Sequence, residues 1–206
     1  MSTGTGSERP RTFTESARRA QIVEAAIDTI AEVGYARASL ARIGERIGIS
    51  KGLIGYHFAN KDELTHEVVS EIVERMKAFM TVRIVTETEN GPEFLQAYIQ
   101  SNLAFLQEHR NCAVAIVEIA RGSTDSREQI GDIDQAAQTL ERQLALFQSA
   151  GQLRPDFDPS VMALTIRAAL DAVLLRLGRL PDLNVDNHAR ELTELFRRAT
   201  SPEPPA

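Results

Sequence analysis

An all-α fold is what this 206-residue sequence predicts. Apolar residues recur three and four apart through nine segments, the spacing that lines one face of a helix. No stretch alternates apolar and polar residues as a half-buried strand does. Glycine, proline and short polar residues fall mostly between the segments, where helices start and stop. The hydrophobic fraction of 43% is enough for a real core in a chain slightly beyond the usual size of one domain.

Residues 1–13 read as a polar Ser/Thr/Gly arm carrying Arg9 and Arg11, with no apolar run of the kind a secretory leader has. A first helix is expected from Glu15 to Val33, with Ile22, Ala26, Ile30 and Val33 on its buried stripe and Gly34 ending it. Ser39 is placed to cap a second helix, whose Leu40, Ile43 and Ile47 share a face, and Gly48 suits the left-handed residue past its end. Ser50 caps a third helix that runs to Phe58. Two helices joined by a three- to four-residue turn containing glycine make a helix-turn-helix, and Gly44 is small enough to let the two approach closely.

Asn60 opens a fourth helix of about 22 residues, roughly 33 Å long, with Asn60 and Glu63 spaced as a reciprocal capping pair. It begins beside the helix-turn-helix and ends deep in the rest of the chain. Pro92 starts a fifth helix to Glu108, and residues 112–120 form a short sixth one, apolar almost throughout. Asp125 or Ser126 caps a seventh to about Ala150, where Gly151 ends it. Asp158 and Pro159 begin an eighth, apolar around most of its circumference and closed by Pro181, and a ninth spans about Asn187 to Ala199. The expected division is a flexible arm over 1–13, a helix-turn-helix unit over 14–60, a helical bundle over 61–200 and a tail over 201–206.

The third helix is costly by itself. Gly52 and Gly55 sit inside two turns, and each costs about 1 kcal/mol against alanine. At 100° per residue, Ile54 and Phe58 face inward with His57 at their edge, while Gly52, Leu53, Gly55 and Tyr56 face outward and Lys51 stands at the start. A small outward face of this kind suits close approach to a DNA major groove. A surface helix bent at its glycines has the same composition, but caps, turn, spacing and face all agree on the first reading. Net charge is −6, yet residues 1–61 carry +3 and the remainder −9, so the basic end is the one with the helix-turn-helix.

The stretches RRAQIVEAAIDTIAEVGYARASL, ARIGERIGISKG and YHFANKDEL, between Arg18 and Leu64, resemble the TetR/AcrR family of bacterial transcriptional regulators. Beyond that N-terminal third the likeness is one of length and helical character. The resemblance implies an N-terminal three-helix DNA-binding unit with a C-terminal bundle for ligand binding and dimerisation. It implies a repressor that binds a palindromic operator as a homodimer, with a four-helix interface from the last two helices, and is released by a small-molecule effector. A DNA-binding architectural or regulatory protein without an inducer is the alternative. Candidate DNA contacts are Arg37, Ser39, Ser50, Lys51, Gly52, Leu53, Gly55, Tyr56, His57 and Lys61. Leu53 and Gly55 depart from the family, which has a hydroxyl residue and a larger residue there, and neither donates a side-chain hydrogen bond to a base.

Polar groups stranded among apolar ones mark candidate effector contacts: Tyr98 and Asn102 on the fifth helix, Glu118 on the sixth, Arg167 and Asp171 on the eighth, with the apolar Phe105 of the fifth helix as a further candidate. Arg167 and Asp171 stand four apart, so they pair with each other just as readily. The sequence gives no reason to expect an enzyme, a cofactor or a metal: the four histidines are scattered, His109 and Cys112 lack further ligands, and no nucleophile or phosphate-loop motif occurs. With one cysteine and no apolar run near the roughly 18 residues that span a membrane, a soluble cytoplasmic protein is expected.

Overall fold

The structure, a computed structural model, describes residues 12–88, 90–123, 132–180 and 182–202. Among these residues it is all helical: α1 (Phe13–Val33), a 3₁₀ turn (Tyr35–Arg37), α2 (Leu40–Arg46), α3 (Lys51–His57), α4 (Lys61–Glu87), α5 (Gly91–Glu108), α6 (Arg110–Gly122), α7 (Asp132–Ser149), α8 (Pro159–Leu177) and α9 (Val185–Thr200). The start of the seventh helix and its cap at Asp125 or Ser126 lie outside the described residues, as does Pro181.

Short polar side chains set the helix starts. Thr12 and Glu15 form a complete capping box on α1. Ser39 accepts from the Arg42 N–H and Ser50 from the Leu53 N–H. Asp158 Oδ1 accepts from two amides of α8, those of Ser160 and Val161. At α4 the reciprocal pair is shifted by one residue. Asn60 accepts from the Glu63 N–H at 2.8 Å, but the Glu63 carboxylate takes the N–H of Ala59, not that of Asn60. Asn90 and Asn184 cap α5 and α9, one residue or more ahead of the starts expected from Pro92 and Asn187.

The turn between α2 and α3 is tight. Gly48 has φ +68°, a left-handed conformation that suits glycine. A Cβ on Gly44 would lie 2.6 Å from the Ile49 carbonyl oxygen, so the close approach of the two helices depends on that glycine. Its own carbonyl accepts from the Ile49 N–H at 2.9 Å and closes the turn.

One apolar core runs through the chain from Ile22 of α1 to Phe196 of α9. In α1, Ile22, Ala26 and Ile27 are fully buried against α2, α3, α4 and α6. α4 is 27 residues long, about 40 Å, longer than the sequence suggests. α5 packs against α4, α6, α7, α8 and α9. Cys112 is buried, and no helix among the described residues is long and apolar enough to cross a membrane.

Candidate nucleic-acid interface

α3 packs against α1 and α2. Ile54 and Phe58 anchor it, both 0% exposed, while Lys51, Gly52, Gly55 and Tyr56 lie open and Leu53 partly so. This is the division that helical geometry gives. The two glycines have no internal role. A Cβ on Gly55 would meet nothing within 4 Å, and one on Gly52 only the Ser50 hydroxyl at 3.7 Å. Their helix-weakening cost therefore has no counterpart in the packing.

The polar candidates surround this face. The Tyr56 ring, 71% exposed, meets the His57 ring edge-on, and its hydroxyl lies 3.4 Å from a Glu15 carboxylate oxygen. Burial, then the neighbouring Arg19 charge, holds the His57 imidazole below the usual histidine range, with Glu15 opposing. Arg37 donates Nε to the Val33 carbonyl at the end of α1 and keeps the rest of its guanidinium exposed. Ser39 and Ser50 are exposed and already serve as caps. Lys61, at the first position of α4, donates to the Tyr35 carbonyl and sits 3.9 Å above the Tyr35 ring. Burial there lowers its pKa, with Asp62 opposing.

Three residues that organise this end were not singled out from the sequence. Glu15 reaches Tyr56. Tyr35 carries Lys61, and a Cβ on Gly122 at the end of α6 would stand 2.6 Å from its ring. Arg19 is 8% exposed yet falls on the stripe of Ile22 and Ala26, and a charge on an apolar stripe is the signal that could have found it.

The effector candidates separate into two groups. Arg167 joins three of the others to itself. It donates Nη1 to Asn102 Oδ1 at 3.1 Å, with the Tyr98 hydroxyl at 3.5 Å, and Nη2 to Asp171 at 3.0 Å. Phe105 and Glu118 stand apart from that network's contacts. Phe105 packs against the rings of Phe79 and His109. Glu118 pairs with Arg121 on its own helix and lies beside Gly34. No group of His, Cys, Asp and Glu among the described residues could hold a metal ion.

A capped helix-turn-helix with a bare outward helix, in an all-helical chain, has the geometry of a DNA-binding unit. The comparisons with known proteins agree. Residues 22–68 match the family model of bacterial regulatory proteins, tetR family. The chain is 32% identical over 93 residues to the HTH-type transcriptional regulator BetI 1 of Chromohalobacter salexigens, covering 45% of this chain and 46% of that one. It therefore spans about half the length of that relative. The HTH-type transcriptional repressor Rv1474c of Mycobacterium tuberculosis is 28% identical over 167 residues, 79% of this chain and 83% of that one. Among solved structures, SmeT, the repressor of the Stenotrophomonas maltophilia multidrug efflux pump SmeDEF, superposes with a TM-score of 0.72 at 25% identity, covering 92% of this chain and 93% of that one. Residues 22–68 thus match the N-terminal domain of the tetR family, and the fold of the chain as a whole is that of solved TetR-family regulators.

Proposed function

We propose that this protein is a repressor that binds a palindromic operator as a homodimer and leaves it when a small molecule binds the helical body. In this reading residues 14–60 read DNA, and residues 61–200 dimerise and bind the effector. The observation that carries the DNA part is the face of α3, where Gly52 and Gly55 weaken the helix without filling any packing need. A backbone brought close to base edges is a reason for both. Lys51, Tyr56, His57 and Lys61 then meet phosphates, while Arg37, Ser39 and Ser50 border the groove. The test is a gel shift at stated salt, using duplexes enriched from a random-sequence pool, then repeated with metabolite extracts. Enrichment of no inverted repeat would overturn the reading. Gly55→Ala has a two-signed signature: it stabilises the fold by about 0.5–1 kcal/mol through helix propensity, yet weakens operator binding. Thermal unfolding and gel shift on the same variant check both signs.

Dimerisation is supported by apolar side chains left open on α8 and α9. Val161, Leu164 and Leu195 are 63%, 58% and 58% exposed, beside a groove lined by Phe157, Met162 and Phe196. A second copy covering this face presents two α3 helices to two half-sites. Leu164→Glu should give a monomer in light scattering. Because each half-site then binds alone, operator affinity should fall about 100-fold or more.

For the effector, the cluster of Tyr98, Asn102, Arg167 and Asp171 is the polar site the body offers, with Phe105 and Glu118 outside it. The alternative reading, a DNA binder without an inducer, draws on the same cluster, since its groups, Arg167 Nε apart, satisfy one another. Retention of operator binding in every metabolite fraction would favour that alternative.

A further inference from the structure

Arg19 is the most heavily engaged buried charge at the DNA-reading end. Its side chain is 9% exposed. Nη1 donates to the His57 carbonyl, the last residue of α3. Nη2 donates to Glu67 at 3.0 Å, and Glu63 lies 3.7 Å from Nη1. The guanidinium carbon lies over the Phe58 ring, 4.0 Å from its centre, and Phe58 is the C-cap of α3. One planar group on α1 thus holds the end of α3 and two carboxylates in the first two turns of α4. Nε is buried with no hydrogen-bond partner, so the fork is committed to these contacts.

α3 has only seven residues, too few to be stable alone in water. Its first turn is held by the Ser50 cap. Beyond Ile54, whose carbonyl takes the Phe58 N–H, the carbonyls of its last turn have no following turn to bond them. A cation placed there both satisfies a carbonyl and meets the negative end of the helix dipole. Because Glu63 and Glu67 neutralise Arg19 and burial hides it, its charge is not offered to phosphate.

We propose that Arg19 is the positioning residue of the recognition helix. Its fork clamps the His57 carbonyl and the Phe58 ring to α4, fixing the angle at which α3 meets DNA without touching DNA. A lysine keeps the charge but cannot donate along two directions from a flat group.

The test uses the full-length protein, Arg19→Lys and Arg19→Met, with a duplex enriched from a random-sequence pool by the wild type. Both variants should bind that duplex about tenfold or more weakly, because the fork is lost in each. Amide exchange at residues 54–58 should quicken at least about tenfold, while buried amides of α5 such as Leu103 keep their rates. In Arg19→Met the His57 imidazole should also titrate at higher pH, because a neighbouring positive charge is gone. Two outcomes overturn the proposal. Either Arg19→Lys binds the duplex as the wild type does, with unchanged exchange in α3, or exchange quickens equally throughout the molecule. If the wild type enriches no duplex, the operator reading fails, and exchange and imidazole titration still decide the clamp.

Discussion

Gly44→Ala should unfold the helix-turn-helix more effectively than its single added methyl suggests. The new Cβ would stand 2.6 Å from the carbonyl oxygen of Ile49, a backbone atom in a turn closed by the hydrogen bond from Ile49 to Gly44 itself. No rotamer change relieves that contact, so α2 and α3 must separate. Alanine gains about 1 kcal/mol in helix propensity. Overpacking of a fitted contact costs about 1–3 kcal/mol and occasionally more, and here it outweighs that gain. The expected result is a melting temperature lower by about 3–8 °C, with specific DNA binding lost before the body unfolds. Thermal unfolding and gel shift check it, and Gly55→Ala, also on the helix-turn-helix, should move stability the other way.

Arg167→Met should destabilise the body by about 2–3 kcal/mol, because it strips a largely buried carboxylate of its partner. Asp171 keeps 27% of its side chain exposed, so the loss falls short of that for a fully buried pair. Burial raises the Asp171 pKa and Arg167 holds it down. For a carboxyl raised above its unfolded value, the native state binds more protons across the window between the two pKa values. Stability therefore falls as pH rises through that window. Removing Arg167 widens the window. The deficit of Arg167→Met should be largest at neutral and alkaline pH and shrink in acid, and adding Asp171→Asn should restore most of it. Urea unfolding at pH 5 and pH 8 reads this out. A deficit independent of pH would show that lost packing of the long side chain, rather than the stranded charge, dominates.

Much of this architecture is legible in the sequence where the cause is local. Ser39, Ser50, Asn60 and Asp158 cap helices because a short polar side chain reaches an amide two or three residues ahead, whatever the rest of the chain does. Gly44 and Gly48 follow from the spacing of the turn. The outward face of α3 follows from 100° per residue. What escaped depends on which helices meet. In the sequence Phe105 and Glu118 stand beside Tyr98 and Arg167 as candidate effector contacts. Yet Phe105 turns toward α4, and Glu118 finds its cation one turn along its own helix. Lys61 reads as a free cation from the sequence, whereas the fold gives it the Tyr35 carbonyl and ring, 26 residues away. Arg19 was hidden for the same reason, since its partners lie 38 and 48 residues on.

The length of α4 has a consequence for how small a change in the body need be. A straight rod of 27 residues, about 40 Å, that tilts by about 5° around its far end carries its near end sideways by about 3.5 Å, one base-pair rise. Lys61 stands at that near end, and Arg19 ties α3 to the turns just behind it. In a two-fold assembly the displacement occurs on both sides, so the distance between the reading helices changes by up to about two base-pair steps. In such an assembly a tilt of a few degrees would be enough to put the two α3 helices out of step with one duplex.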